Sequence, residues 1–311
     1  MITIKKYNPS DAEIWDAFIE TSKNATFMLK RGYMDYHADR FQDHSLLFYD
    51  NGKLVALLPA SIHGDELRSH GGLTYGGIIV DKKMTVQLML SIVDMLREFM
   101  QKNKISRLIY KRVPAIYYTY PSDEDLYALF RNDAKLIRRD IASTIYLPER
   151  IKFSERRRRG VKNANKYGIV IRESNDFIEY ISILTNILSK YHNAKPVHNS
   201  DEITLLANRF PENIKLFAAY KDNMMLSGIV AYLTPQVVHA QYIANSDDGR
   251  LCGALDAVVD FMIAKYADSK QYFDFGISTE QDGMYLNEGL IQQKQEFGGR
   301  AIAYDFYELK V

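Results

Sequence analysis

The chain has 311 residues, 47% of them apolar and 25% charged, which excludes a disordered polymer and fits two domains better than one small core. Forty Lys and Arg against 39 Asp and Glu leave a net charge of +1, so no global field favours nucleic acid and any anionic ligand needs a local basic patch. Cys252 is the only cysteine, which excludes an intramolecular disulfide and suits a reducing, cytoplasmic setting.

The stretch Met1–Pro9 lacks the apolar core of a signal peptide, so none is expected. Helices are predicted at Ala12–Thr21 and Tyr33–Phe41. Ser45–Tyr49 reads as a strand, Asp50-Asn51-Gly52 as a hairpin turn and Leu54–Ile62 as the return, with Pro59 marking an edge or bulge. The glycine-rich Gly71–Val80 reads as a further, bent strand. Its Gly-Gly pairs lack the Gly-Lys-Ser/Thr of a phosphate loop. Leu88, Ile92, Met95, Leu96 and Phe99 recur at helical spacing and predict a helix over Thr85–Lys102, followed by a strand at Arg107–Tyr110.

Next come a strand-like Leu136–Leu147 and a basic helix over Glu155–Tyr167. The first order of elements then returns. Helices at Phe177–Tyr191 and Asp201–Asn208 precede a strand at Leu216–Tyr220 and the turn Lys221-Asp222-Asn223. Strands at Leu226–Leu233 and Val237–Ala244, a helix at Leu255–Tyr266 and a strand at Tyr272–Phe275 follow. Leu226–Ser246 carries no charge, but Pro235 and Gln236 at its middle argue for a buried hairpin, not a membrane span. The repeated order predicts a mixed α/β fold of two similar units, residues 1–150 and 151–311.

Two stretches carry a family resemblance. Ser154-Glu-Arg-Arg-Arg-Arg-Gly-Val-Lys-Asn-Ala-Asn-Lys-Tyr-Gly168 resembles the Arg-rich helix of the Fem-type branch of the GNAT acyltransferase superfamily. That branch comprises peptidoglycan-bridge aminoacyltransferases and related acetyltransferases. Tyr272-Phe-Asp-Phe-Gly276, then Gly289-Leu-Ile-Gln-Gln-Lys-Gln-Glu-Phe-Gly298, is similar to the branch's Asp-x-Gly strand and the Gly-Leu, Lys, Phe-Gly helix after it. The resemblance covers most of the chain, the N-terminal half by element order alone. It implies tandem acyl-CoA N-acyltransferase-like units with the donor site in the second.

The implied reaction is acyl transfer from acyl-CoA, most simply acetyl-CoA, to an amine. The acceptor would be a small molecule or a cell-envelope precursor, an amino sugar or a peptide. An aminoacyl-tRNA donor would keep the fold, but the chain has no long charged helical hairpin and is nearly neutral, so nucleic acid is not expected. A non-catalytic protein that retains the fold is the third alternative. No metal is expected, because the seven histidines show no ligand spacing.

Within this reading, Asp247-Asp-Gly-Arg-Leu-Cys-Gly-Ala opens a helix, and backbone N–H groups at a helix start suit phosphate oxygens. Arg250 and Gly253 are the candidate CoA-phosphate contacts, and Asp247 and Asp248 the candidate caps. Leu255 stands where the superfamily loop has a small residue. Of the four consecutive arginines at most two can share a helix face, and Arg158 or Arg159 is the candidate for an anionic substrate. Asp274 is the candidate base and Tyr285 the candidate acid. The resemblance makes Lys294 a substrate- or donor-contacting residue. Leu290 and Phe297 are expected to pack inward around it, aiming it along the edge of a cleft. Cys252 has no adjacent base and reads as structural.

Overall fold

The structure is a computed structural model that describes residues 1–192 and 194–311, His192 by its backbone alone. It forms two compact units. The first is Met1–Asp140 with Glu280–Tyr285 and Ala303–Val311, and the second is Ile141–Thr279 with Leu286–Ile302.

The two units use one internal plan. In the first, strands Ile2–Lys6, Leu46–Asp50, Lys53–Leu58 and Ile79–Val80 lie side by side in that order. In the second, the corresponding run is Val170–Ser174, Ile214–Lys221, Met224–Leu233 and Val237–Asn245. Both hairpins turn on two residues with positive φ, Asn51 and Gly52 at 48° and 80°, and Asp222 and Asn223 at 49° and 64°. Such a turn matches the right-handed twist of its strands. Each hairpin also shifts register close to its turn, between Phe48 and Tyr49 and between Ala219 and Tyr220. A helix then crosses the sheet in each unit, Val86–Lys102 and Ala254–Tyr266, and leads to the strand Arg107–Lys111 or Tyr272–Ile277.

Ala254–Tyr266 is apolar nearly all round because it is covered on two sides. One side sits on Phe217, Ile229 and Phe273 of the sheet, and the basic helix Glu155–Lys166 packs across the other. Helix Phe177–His192 packs on the opposite face of the sheet.

Two sequence expectations are corrected. Tyr33–Phe41 is not one helix: Arg31–Met34 is followed by a 3-10 turn at Asp35–His37. The buried Arg31 guanidinium bonds Asp35, Asp43 and Ser45, while His37 and Phe41 turn inward against His70. Gly71–Val80 contributes a strand only at Ile79–Val80. Lys111 Nζ draws the carbonyls of His70, Gly71 and Leu73 to itself at 3.0, 3.1 and 2.7 Å, which takes them out of any ladder.

Candidate functional site

The second unit contains a break in its sheet. Val237–Asn245 and Tyr272–Ile277 run parallel, but they pair only from Val237 with Tyr272 to His239 with Asp274. Beyond that point the strands part. A bulge assists: Tyr242 pairs with Val230 and Ala240 with Ala231, leaving Gln241 as the extra residue.

A cavity of about 730 Å³ opens where the strands diverge. Ile243, Leu255, Val259 and Phe275 form its apolar floor. Its charged lining is unbalanced. Arg156, Arg157 and Arg159 come from the basic helix, with Arg250 and Lys294 from other elements, and among the described residues Asp256 is the one acid in the lining.

That acid is already neutralised. Arg157 Nη1 donates to Asp256 Oδ1 at 3.0 Å, and Arg157 Nη2 lies 2.8 Å from Glu296 Oε2. The guanidinium also stacks 4.7 Å from the Phe297 ring centre. Burial raises the Asp256 pKa and Arg157 opposes the rise. Close packing brings the trio together, since a Cβ on Gly160 would fall on Asp256 Oδ2 and one on Gly253 would fall on the Gly160 carbonyl. Gly253, with φ of 79°, breaks the chain between the short helix Asp247–Cys252 and Ala254–Tyr266, so the latter's first turn faces the cavity.

The structure places the sequence candidates unevenly. Arg250 and Gly253 both line the cavity. Arg250 stacks on Tyr191 at 4.5 Å, and among the described residues its guanidinium donates no hydrogen bond, which leaves its donors uncommitted. The cap of the short helix is Ser246, not either aspartate: its hydroxyl accepts from Gly249 N at 3.0 Å. Asp247 instead binds Lys190 Nζ at 2.6 Å and the Tyr191 hydroxyl at 2.7 Å, and Lys190 holds its pKa below the usual value. Leu255, where a small residue was expected, is buried in the core.

Arg159 lines the cavity and is exposed, whereas Arg158 is exposed and lies outside it. The buried arginine is Arg157, which shares a helical stripe with Val161 and the fully buried Ala164. Tyr285 falls in the first unit, half exposed, and does not line the cavity. Cys252 is buried, with Sγ 3.5 Å from the Gly249 carbonyl.

Lys294 lines the cavity but is buried, 5% exposed, and committed: Nζ donates to the carbonyls of Gly276 at 2.9 Å and Ile277 at 2.6 Å. Burial pulls its pKa down to about 8, and Asp274 acts against that shift. Phe297 packs inward as expected, but Leu290 stays 37% exposed at the cavity rim. Asp274 is fully buried. Its carboxylate accepts from the Thr144 hydroxyl at 2.9 Å and Gly276 N at 3.0 Å, and its other oxygen lies 2.8 Å from His239 Nδ1. Asp274 is not among the cavity's lining residues.

The fold is that of GNAT- and Fem-type tandem proteins. FemX superposes with a TM-score of 0.71 at 12% identity, covering 99% of this chain and 97% of its own. L-PGS from Bacillus licheniformis gives 0.64 at 11% identity, covering 98% and 93%. A tandem GNAT protein from the clavulanic acid biosynthesis pathway gives 0.54 at 10% identity, covering 100% and 98%. At these identities the likeness is one of fold. No protein family's sequence profile matches the chain, and no curated protein matches it. Among the described residues no helix is long and apolar enough to cross a membrane, and no His, Cys, Asp and Glu cluster has the form of a metal site.

Proposed function

We propose that this protein is an N-acyltransferase that moves an acyl group from acyl-CoA to an amine, with the donor held in the cavity of the second unit. The observation that carries the reading is the coincidence of three features in one cavity: parted parallel strands, the first turn of Ala254–Tyr266 and a surplus of arginine. The helix start offers backbone N–H groups and the positive end of a dipole to a pyrophosphate. Arg250 and Arg159 add charged donors, and Arg157 keeps Asp256 from repelling the anion. Where the strands leave their ladder, backbone N–H groups are released to stabilise the oxyanion of a thioester carbonyl. Holding donor and amine together supplies much of the remaining acceleration.

The transferase names among the fold neighbours, FemX and L-PGS, agree with this class of chemistry and leave the donor open. The acceptor is proposed as an amino sugar or a peptide amine of an envelope precursor, on the sequence resemblance alone. The test follows thiol release from acetyl-CoA in the presence of glucosamine, ethanolamine, lysine and a glycyl peptide. Amine-dependent thiol release supports the reading. Transfer from an aminoacyl-tRNA with none from acetyl-CoA replaces the donor, and binding without turnover leaves a ligand-binding protein.

A further inference from the structure

The parted strands carry a second feature on the other face of the sheet. Val238, Ala240, Phe273 and Phe275 turn into the core beneath Ala254–Tyr266. Side chains alternate along a strand, so His239 and Asp274 turn to the face covered by Phe177–His192. They are direct partners and the last pair before the strands separate.

Asp274 is held rigidly, because the Thr144 hydroxyl and Gly276 N–H fix one carboxylate oxygen and the other faces His239 Nδ1 at 2.8 Å. This contact places the ring proton on Nδ1 and leaves a lone pair on Nε2. Nε2 makes no hydrogen bond among the described residues. Nothing in the donor-binding scheme uses this pair. Gly276, two residues beyond the last pairing, has no side chain to crowd the ring, since a Cβ there would come within 3.3 Å of His239 Cε1, and His239 keeps 7% of its surface exposed.

Resting on the acyl-CoA reading above, we propose that His239 is the general base of the reaction, with Asp274 its positioning residue. The amine then approaches from the His239 face while the thioester lies on the cavity face. The amine nitrogen attacks the thioester carbon and its proton passes to His239 Nε2. The C–N bond forms, the C–S bond breaks, and the electron pair leaves on sulfur, which takes a proton from solvent. His239 returns its proton to solvent when product leaves. Asp274 stabilises the imidazolium without touching the substrate.

The test uses the whole chain with acetyl-CoA and the amine panel named above. His239→Gln is expected to lower kcat by about 10²- to 10⁴-fold, the usual worth of a general base, with acetyl-CoA affinity unchanged by calorimetry. Added imidazole is expected to restore part of the rate to His239→Ala. Nitrogen NMR of the wild-type ring, assigned by its loss in His239→Gln, is expected to find the proton on Nδ1. A proton on Nε2 instead, or a kcat within about threefold of wild type in His239→Gln, overturns the proposal. These outcomes are separable from failure of the donor reading. A wild type that acetylates no amine of the panel removes that reading and the base with it, whereas an active wild type with an equally active His239→Gln removes the base alone.

Discussion

Replacing Arg157 with methionine keeps the bulk of its stem and removes the charge that two half-buried carboxylates share. The cost follows from what is left behind. Asp256 and Glu296 lose contacts of 3.0 and 2.8 Å while their side chains stay only 13% and 17% exposed. Removing one partner of a buried pair costs about 3–5 kcal/mol, and this residual access to water places Arg157→Met near the lower end, about 3 kcal/mol at neutral pH. The pH dependence fixes the mechanism. Burial already raises the Asp256 pKa and Arg157 is the main influence lowering it, so in the variant it rises further. A group whose folded pKa lies above its unfolded one destabilises the fold above that value and is relieved as pH falls through it. The stability gap between wild type and Arg157→Met should therefore shrink between pH 7 and pH 5, and adding Asp256→Asn should recover part of it. The chain's one tryptophan, Trp15, lies in the first unit, so fluorescence reports on the wrong place. Native-state hydrogen exchange of the Ala254–Tyr266 amides reads the second unit directly. A gap below about 1 kcal/mol, equal at both pH values, would mean that the trio does not hold the basic helix down.

Lys294 releases its proton in the fold at about pH 8, against 10.5 for an ordinary lysine, so between those values the unfolded chain binds the proton that the fold has given up. Raising pH through that window should widen the stability margin of wild type over Lys294→Met by up to about 3 kcal/mol, measured by urea unfolding, and a flat or falling margin refutes the assignment. In the first unit, burial chiefly, and then His37, Lys111, Arg31 and His63, push the His70 pKa from 6.5 down to about 3. As pH falls through that interval the unfolded chain takes up a proton that the fold resists. Wild type should then lose on the order of 4 kcal/mol relative to His70→Asn, a residue that tolerates the positive φ of 54° found there. Parallel acid titrations of the two proteins by circular dichroism would count against the buried imidazole.

Sequence patterning was informative wherever local physics decides the outcome. Asn51-Gly52 and Asp222-Asn223 mark their hairpins because few other pairs accept two positive φ values. The helices Ala12–Thr21 and Val86–Lys102 follow from apolar spacing and, in the second case, the Thr85 cap. Gly71–Ile78 was misread because its path is set by Lys111, some forty residues away, and not by its own residues. The site was legible in part. Arg250 and Gly253 carry a local signature, and both line the cavity. Arg157 stood in a run of four identical residues, where only the stripe through Val161 and Ala164 separates it from Arg158. His239 gave no signal at all, since its partner Asp274 lies 35 positions away and meets it only through parallel strand pairing. The same pairing encloses Asp274, which is why the proposed base is the imidazole and not the carboxylate. The return of Ala303–Val311 to the first unit likewise depends on strand partners distant in the chain.

The central claim, that the second unit's cavity is an acyl-CoA site, is tested most directly by calorimetric titration of acetyl-CoA into wild type and Arg250→Ala. The uncommitted Arg250 guanidinium at the cavity wall predicts one site per chain. Arg250→Ala should weaken it by about 1.5–3 kcal/mol, roughly ten- to a hundredfold. Tight binding that ignores Arg250→Ala, or no binding of acetyl-CoA by wild type, would contradict the account.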